Sequence, residues 1–156
     1  MPETSEQELE FHRKIAKQCF NSTWDFLENK NRTAEDDRQM LLLAHTSRYH
    51  WGVVGNSANL AVGEWQVSRV YADLKQSAAS LLFAKSALDL CLENKLTDLL
   101  PSAYEGMARA YASAHDNQRA RDYVAKARKG LESIKDKDDR EIYQQQINDT
   151  EGLIDH

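Results

Sequence analysis

Hydrophobic residues recur at three- and four-residue steps along most of this chain, which is the spacing of one face of an α-helix. The first such stripe contains Phe11, Ile15, Cys19, Trp24 and Leu27, and it predicts a helix over residues 5–29. With glycine, proline, asparagine and aspartate as stop signals, the same pattern predicts helices over residues 33–54, 58–75, 77–94, 97 to about 115, 117–134 and 138–154. No stretch alternates as a strand does, so the sequence predicts an all-α fold of seven helices.

Polar residues at the expected helix starts refine these boundaries. Ser5 followed by Glu8, and Asp138 followed by Glu141, have the spacing of a capping box. Thr33 is predicted to begin the second helix, Ser77 the fourth and Thr97 the fifth, since hydroxyl side chains accept hydrogen bonds from the first free backbone N–H groups.

Two later segments, residues 61–94 and 101–134, share a pattern with a period of 40 residues. Ser68, Tyr71, Ser80, Phe83, Ala84 and Ala87 are followed forty positions later by Ala108, Tyr111, Ala120, Tyr123, Val124 and Ala127. A fixed period of this size indicates a repeated helical hairpin whose neighbours stack to bury a continuous core.

The order of small and aromatic residues in this pattern resembles the tetratricopeptide repeat (TPR). It differs from that family in its 40-residue spacing, against 34 in the family, and the first hairpin does not carry the motif. The resemblance implies a TPR-like right-handed α-solenoid of about three antiparallel hairpins and a C-terminal capping helix. The expected single domain spans residues 1–156, with an N-terminal hairpin over 5–54, two repeats over 58–134 and the cap over 138–154. Such domains usually bind a protein segment in their concave groove.

Composition and charge narrow the function further. The net charge of -5 and an acidic start with Glu3, Glu6, Glu8 and Glu10 disfavour nucleic-acid binding. Neither a signal peptide nor an apolar run long enough for a bilayer is recognisable, so a cytoplasmic protein without membrane contact is expected. Cys19 and Cys91 lie far apart among apolar neighbours, which predicts buried free thiols. No cofactor motif is recognised.

The TPR resemblance also implies which side chains face a ligand. They are Trp65 and Arg69 in one repeat and Glu105 and Arg109 in the next. Two guanidinium groups facing one groove would bind a carboxylate bidentately. The alternative is that both arginines are ordinary surface residues.

A second candidate site surrounds Glu64, at a repeat position that is normally apolar and where Tyr104 stands in the next unit. His45 and Tyr49 share a face of the second helix and are predicted to converge with Glu64 and Arg69, with Arg48, His50 and Trp51 on adjoining faces. Such a cluster is interpreted as a structural network, as a pocket for a polar or anionic ligand, or as an active site.

The sequence supports catalysis or metal binding less than it supports ligand binding. GxSxG, P-loop, GxGxxG and HExxH motifs are absent. Glu8, His12, His45 and Glu64 are the residues that a bundle-type metal site would use, but the Glu-x-x-His pairing of such sites is missing. Tyr49, Trp51 and Trp65 could form an aromatic cage, or they could belong to the core.

The preferred function is a helical-repeat module that binds a protein or peptide partner through an acidic or carboxylate group. The alternative is a small-molecule-binding protein or enzyme with a polar pocket. A third possibility is a structural role in a homo-oligomer. No catalytic residue and no metal ligand is assigned. The candidate ligand-binding residues are His45, Arg48, Tyr49, Trp51, Glu64, Trp65, Arg69 and Arg109.

Overall fold

The computed structural model describes residues 5–155, so Glu3 of the acidic start lies outside the described part. Within that range the chain forms seven α-helices, two short 3-10 turns and no strand, which confirms the all-α prediction. The α-helices are α1 (Glu6–Glu28), α2 (Ala34–Val54), α3 (Ser57–Asp73), α4 (Ser77–Glu93), α5 (Leu100–Ser113), α6 (Asn117–Gly130) and α7 (Lys137–Glu151). The 3-10 turns, Thr97–Leu99 and Leu131–Ser133, precede α5 and follow α6.

Side-chain caps begin several of these helices. Ser5 accepts from the backbone N–H of Glu8 at 3.2 Å, as its position predicts. Thr33 forms a reciprocal capping box with Asp36 at the start of α2. An unpredicted capping box between Asn56 and Asn59 begins α3.

Three predicted caps are wrong. Ser77 is already inside α4, and Gln76 precedes it without a side-chain cap. Thr97 begins a 3-10 turn, because Pro101 favours the first turn of an α-helix and so places the start of α5 at Leu100. For α7 the cap is Asp136, whose carboxylate accepts from the N–H of Asp139, two residues earlier than the predicted Asp138.

Consecutive helices pair along the chain, α1 with α2, α3 with α4 and α5 with α6, and α7 packs on α5 and α6. Short side chains permit close approach of α3 and α4, where each hydroxyl of Ser68 and Ser80 donates to the other residue's carbonyl at 2.8 Å. Ala108 and Ala120 take these positions in the next pair and are fully buried. The two 40-residue segments are therefore built around equivalent small residues.

Aromatic pairs repeat in the same way. The rings of Tyr71 and Phe83 stack with centroids 5.7 Å apart, and those of Tyr111 and Tyr123 also stack at 5.7 Å. Each stacked pair packs against the buried core shared by successive helices. The equivalence that the sequence pattern predicts thus extends to ring geometry.

The turns that follow α3 and α5 are also equivalent. Lys75 and His115, forty positions apart, both adopt a left-handed conformation, with φ of 62° and 60°. Their successors Gln76 and Asp116 donate back to the carbonyls of Tyr71 and Tyr111, which closes each helix with a Schellman-type turn. Both turns lie at one end of the α3–α5 contact, next to the cleft described below.

Candidate functional site

The candidate site lies where α3, α5 and α7 meet. Trp65 of α3 contacts Glu105 of α5, and Arg69, one turn further along α3, lies near Arg109, one turn further along α5. Residue numbers therefore rise in the same direction along both helices. This correspondence means that α3 and α5 run parallel, with repeat-equivalent residues side by side. The period of 40 residues therefore brings Arg69 and Arg109 together.

Glu105 is the centre of a buried hydrogen-bond network. Its carboxylate accepts from the indole N–H of Trp65 at 2.7 Å, from Nε of Arg109 at 2.9 Å and from the hydroxyl of Thr150 at 2.6 Å. Glu105 is 1% exposed and Thr150 is fully buried. A buried carboxylate is stable only when paired in this way, and the network therefore fixes three helices and one guanidinium group together.

Arg69 is held by an aromatic ring. Its guanidinium carbon lies 4.9 Å from the ring centroid of Trp24, a cation–π contact that orients the group. Burial lowers the pKa of Arg69, and the neighbouring charge of Arg109 lowers this pKa further, while Glu105 opposes both effects. An arginine remains charged at neutral pH in spite of such a shift, so two cations lie close together in a partly dehydrated place.

Each arginine retains a donor that its neighbours do not use. Among the described residues, neither Nε of Arg69 nor Nη2 of Arg109 has a hydrogen-bond partner, although both atoms are buried. Arg109 is only 5% exposed as a whole residue. Buried donors without partners are rare in folded proteins, and each of them calls for an explanation such as strain or a functional role.

Both arginines line one cleft of about 410 Å³. Its charged side chains are four cations, one histidine and two carboxylates: Lys30, Arg69, Lys75, Arg109, His115, Asp73 and Asp155. The carboxylates already have partners, because Asp73 lies 3.6 Å from Arg32 and Asp155 bonds Nδ1 of His115 at 2.9 Å. The cleft is therefore left with an excess of positive charge, which suits an anionic ligand.

The predicted convergence of His45, Tyr49, Glu64 and Arg69 is found only in part, because His45 lies near Glu64 whereas Tyr49 and Arg69 do not join them. The carboxylate of Glu64 accepts from Nε of Arg48 at 2.9 Å, and Tyr49 is 66% exposed. Five residues separate Glu64 from Arg69, which turns their side chains about 140° apart around α3. The four side chains consequently do not enclose a common pocket.

Arg48 takes the place expected for Tyr49 because Gly63 leaves room for it. A β-carbon at Gly63 would lie 2.9 Å from Cδ of Arg48. Glycine inside a helix lowers helix stability by about 1 kcal/mol relative to alanine. Gly63 next to the unexpected Glu64 is therefore the sequence feature that could have indicated the Arg48–Glu64 pair.

His45 belongs to the aromatic packing between α2 and the following helix pair. Its Nε2 lies 2.9 Å from the hydroxyl of Tyr71, and its ring meets that of Phe83 edge to face. Burial lowers the pKa of His45, with a smaller opposing effect from Glu64. These contacts make His45 part of the packing and separate it from the cationic cleft.

The aromatic cage is not formed either. Trp65 is buried with its ring centroid 5.7 Å from that of Trp24, whereas Trp51 lines a different shallow depression together with Lys17 and Phe20. Trp65 is thus a core residue that supports the cleft through Glu105.

The residues of the bundle-type metal site are likewise not brought together. The Nδ1 of His12 instead lies 2.7 Å from Nδ1 of His50. Within residues 5–155, no group of three or more histidine, cysteine, aspartate or glutamate side chains could hold a metal ion. Both cysteines are free thiols; Cys91 is buried, which raises its pKa to about 11, and Cys19 is half-buried.

Several residues in or beside the cleft lie outside the 40-residue pattern. Trp24 and Lys30 come from the first helix pair, which lacks the repeat motif, and Thr150 comes from a helix after the repeats. Lys75 and His115 could have been found by the 40-residue period, since they are equivalent positions in the two repeats.

No protein-family model, curated protein or solved structure matches this chain. Among the helices of the described residues, none combines the length and the apolar character needed to cross a membrane.

Proposed function

We propose that the chain is a TPR-like right-handed α-solenoid that binds an acidic group of a protein segment in the cleft between α3, α5 and the segment that follows α7. The repeated small residues, the two stacked aromatic pairs and the parallel course of α3 and α5 support the solenoid interpretation. In such an arrangement α7 would take the place of the first helix of a further hairpin, and the cleft would lie on the concave side.

The observation that carries the binding proposal is the pair of unused guanidinium donors. Nε of Arg69 and Nη2 of Arg109 are both buried and both belong to residues of the cleft. A carboxylate has two oxygens that accept from two donors at once, and charge-assisted bonds of this kind are short and strong. The Trp24 ring and the Glu105 carboxylate hold the two groups in place, so little side-chain entropy remains to be lost on binding.

Lys30 and Lys75 are exposed and line the same cleft. Their charges extend the region of positive electrostatic potential around it. Such a field attracts an acidic segment and favours fast association at low salt. A protein segment with one bound carboxylate and further acidic residues next to it fits this distribution of charge.

The test is a binding titration with a fluorescent decapeptide that ends in three acidic residues. The same peptide with its acidic side chains replaced by amides is the ligand control. We expect the acidic peptide to bind, the amide peptide to bind at least tenfold more weakly, and Arg69→Ala to remove most of the difference.

Arg38→Ala is the matched protein control, because Arg38 is an exposed arginine on α2 outside the cleft. It should bind the acidic peptide as the wild type does. Equal weakening by Arg38→Ala and Arg69→Ala would show that only net charge matters, and would overturn the assignment of the cleft.

A further inference from the structure

A second cavity, of about 120 Å³, lies at the opposite end of the α3–α5 contact from the arginines. The helices α3, α4, α5 and α7 each contribute to its wall. Val62, Trp65, Cys91, Ala103, Tyr143 and Gln146 are among its lining residues. Tyr143 and Gln146 come from the middle of α7, so the last helix forms one wall of a space that the repeats leave open.

The chemistry of this wall differs from that of the cationic cleft. None of the described residues that line the cavity is charged. Most of the lining surface is apolar, and Ser102, Tyr143 and Gln146 add neutral hydrogen-bonding groups. The Tyr143 phenol is half-buried and lies beside Ser102.

We infer that this cavity binds a neutral molecule of single-ring size that carries one hydroxyl or N–H group. An enclosed apolar cavity of about 150 Å³ engineered in another protein binds benzene, and the volume of this partly open cavity suits a ligand of similar size. The absence of charge in the wall favours a neutral ligand, since a charged one would lose its hydration without compensation. A hydroxyl or N–H on the ring would find its partner at Ser102, Tyr143 or Gln146.

Tight binding is not expected from so small a contact. A ligand of seven or eight heavy atoms that gains typical free energy per atom has a Kd on the order of 0.1–1 mM. The site is separate from the carboxylate cleft, because Trp65, Glu105 and Thr150 form a buried layer between the two. Phenol binding and peptide binding are therefore measured as two distinct properties.

The test uses phenol and toluene, which have nearly the same shape but differ by a hydroxyl. Binding is followed through the indole N–H resonance of Trp65 in ¹H–¹⁵N NMR spectra of the full chain, assigned with Trp24→Phe and Trp51→Phe. We expect phenol to shift this resonance saturably and to bind at least threefold more tightly than toluene. Tyr143→Phe should reduce that preference, whereas Tyr49→Phe, at an exposed tyrosine outside the cavity, should preserve it.

Substitutions that fill the cavity provide a second test of the site. Ala103→Leu or Cys91→Leu places extra carbon atoms into the space, and either folded variant should lose phenol binding by more than tenfold. Circular dichroism melts identify which of the two variants remains folded. No saturable shift with either ligand in the wild type, or an undiminished shift in a folded filled variant, would overturn the site.

Discussion

The indole N–H of Trp65 donates to Oε2 of Glu105 at 2.7 Å, and this bond joins the two repeat units at equivalent positions. Trp65 and Glu105 are forty residues apart and so occupy equivalent positions on the parallel helices α3 and α5. That position carries a hydrogen-bond donor in one repeat and a carboxylate in the next. The other carboxylate oxygen binds Arg109 and Thr150. One buried side chain thereby connects the repeats to α7 and holds a cation beside the cleft.

Glu105→Gln tests the strength of this connection. The amide keeps the shape of the side chain but removes its charge, which leaves the buried guanidinium of Arg109 unpaired. Loss of one partner of a buried pair costs about 3 to 5 kcal/mol. Urea unfolding should show this decrease in the free energy of unfolding, whereas Glu132→Gln at an exposed position should change it by less than about 0.5 kcal/mol. If Glu105→Gln lowers the free energy of unfolding no more than Glu132→Gln does, the charge of Glu105 contributes no stability.

The pair of Arg48 and Glu64 is less buried, with side-chain exposures of 26% and 10%. A double-mutant cycle with Arg48→Ala and Glu64→Ala measures their coupling directly. Residues in contact within one ion pair usually couple by about 0.5 to 3 kcal/mol, and partial exposure places this pair in the lower half of that range. Additive effects in urea unfolding would mean that Gly63 accommodates Arg48 for packing alone.

Stability should fall in mild acid because of His45. Burial lowers the folded-state pKa of His45 below its value in the unfolded chain. The unfolded state then binds the proton more readily, so stability is complete above the unfolded pKa of about 6.5 and is lost as pH falls through the folded pKa. Free energies of unfolding measured between pH 5 and pH 8 should show this decrease.

His45→Gln should make the same curve flatter, because the amide can still bond Tyr71 but does not titrate. His50 has a lowered pKa as well and is expected to account for part of the remaining slope. His115→Gln is the control, because the His115 side chain is 77% exposed. A wild-type curve unchanged by His45→Gln would contradict the assigned role of burial.

The sequence predicts much of this arrangement where the 40-residue period applies. The equivalence of Arg69 and Arg109 follows from it, and so do the stacked pairs that contain Tyr71 and Tyr111. The period cannot reveal Trp24 or Thr150, because these side chains come from helices outside the repeated segments. Their contacts depend on how the first helix pair and α7 approach the repeats, which no local pattern in either helix encodes.

The cluster around Glu64 was predicted only in part, for a different reason. Spacing along a helix predicts which residues share a face, but it does not predict which of several neighbours crosses to the next helix. Arg48 and Tyr49 are adjacent in sequence, and only the space left by Gly63 favours the arginine. A glycine inside a helix next to a carboxylate is therefore a signal to look for a long cation on the facing helix.

Lys95 offers a prediction about the turns. It adopts a left-handed conformation with φ of 54° at the end of α4, where glycine is the preferred residue. Lys95→Gly should therefore raise the free energy of unfolding by about 0.5 to 1 kcal/mol, since a residue with a β-carbon is strained there. Lys85→Gly, at an exposed position within α4, should lower it by about 1 kcal/mol. Thermal melts that show the same sign for both changes would contradict this explanation.

Ala127 tests the close approach of α5 and α6. Its side chain is fully buried in the core shared by α5, α6 and α7, at the position equivalent to Ala87 in the preceding helix pair. Ala127→Leu adds three carbon atoms where the helices leave no space, and overpacking of this kind costs about 1 to 3 kcal/mol. Ala125→Leu places the same side chain on the exposed face of α6 and should be almost neutral. Urea midpoints measured on the two variants and the wild type separate the packing effect from any change in helix propensity, because leucine replaces alanine on the same helix in both. If Ala127→Leu unfolds at the wild-type midpoint, the small residue is not required for the helix contact, and the 40-residue pattern would have to be explained by something other than packing.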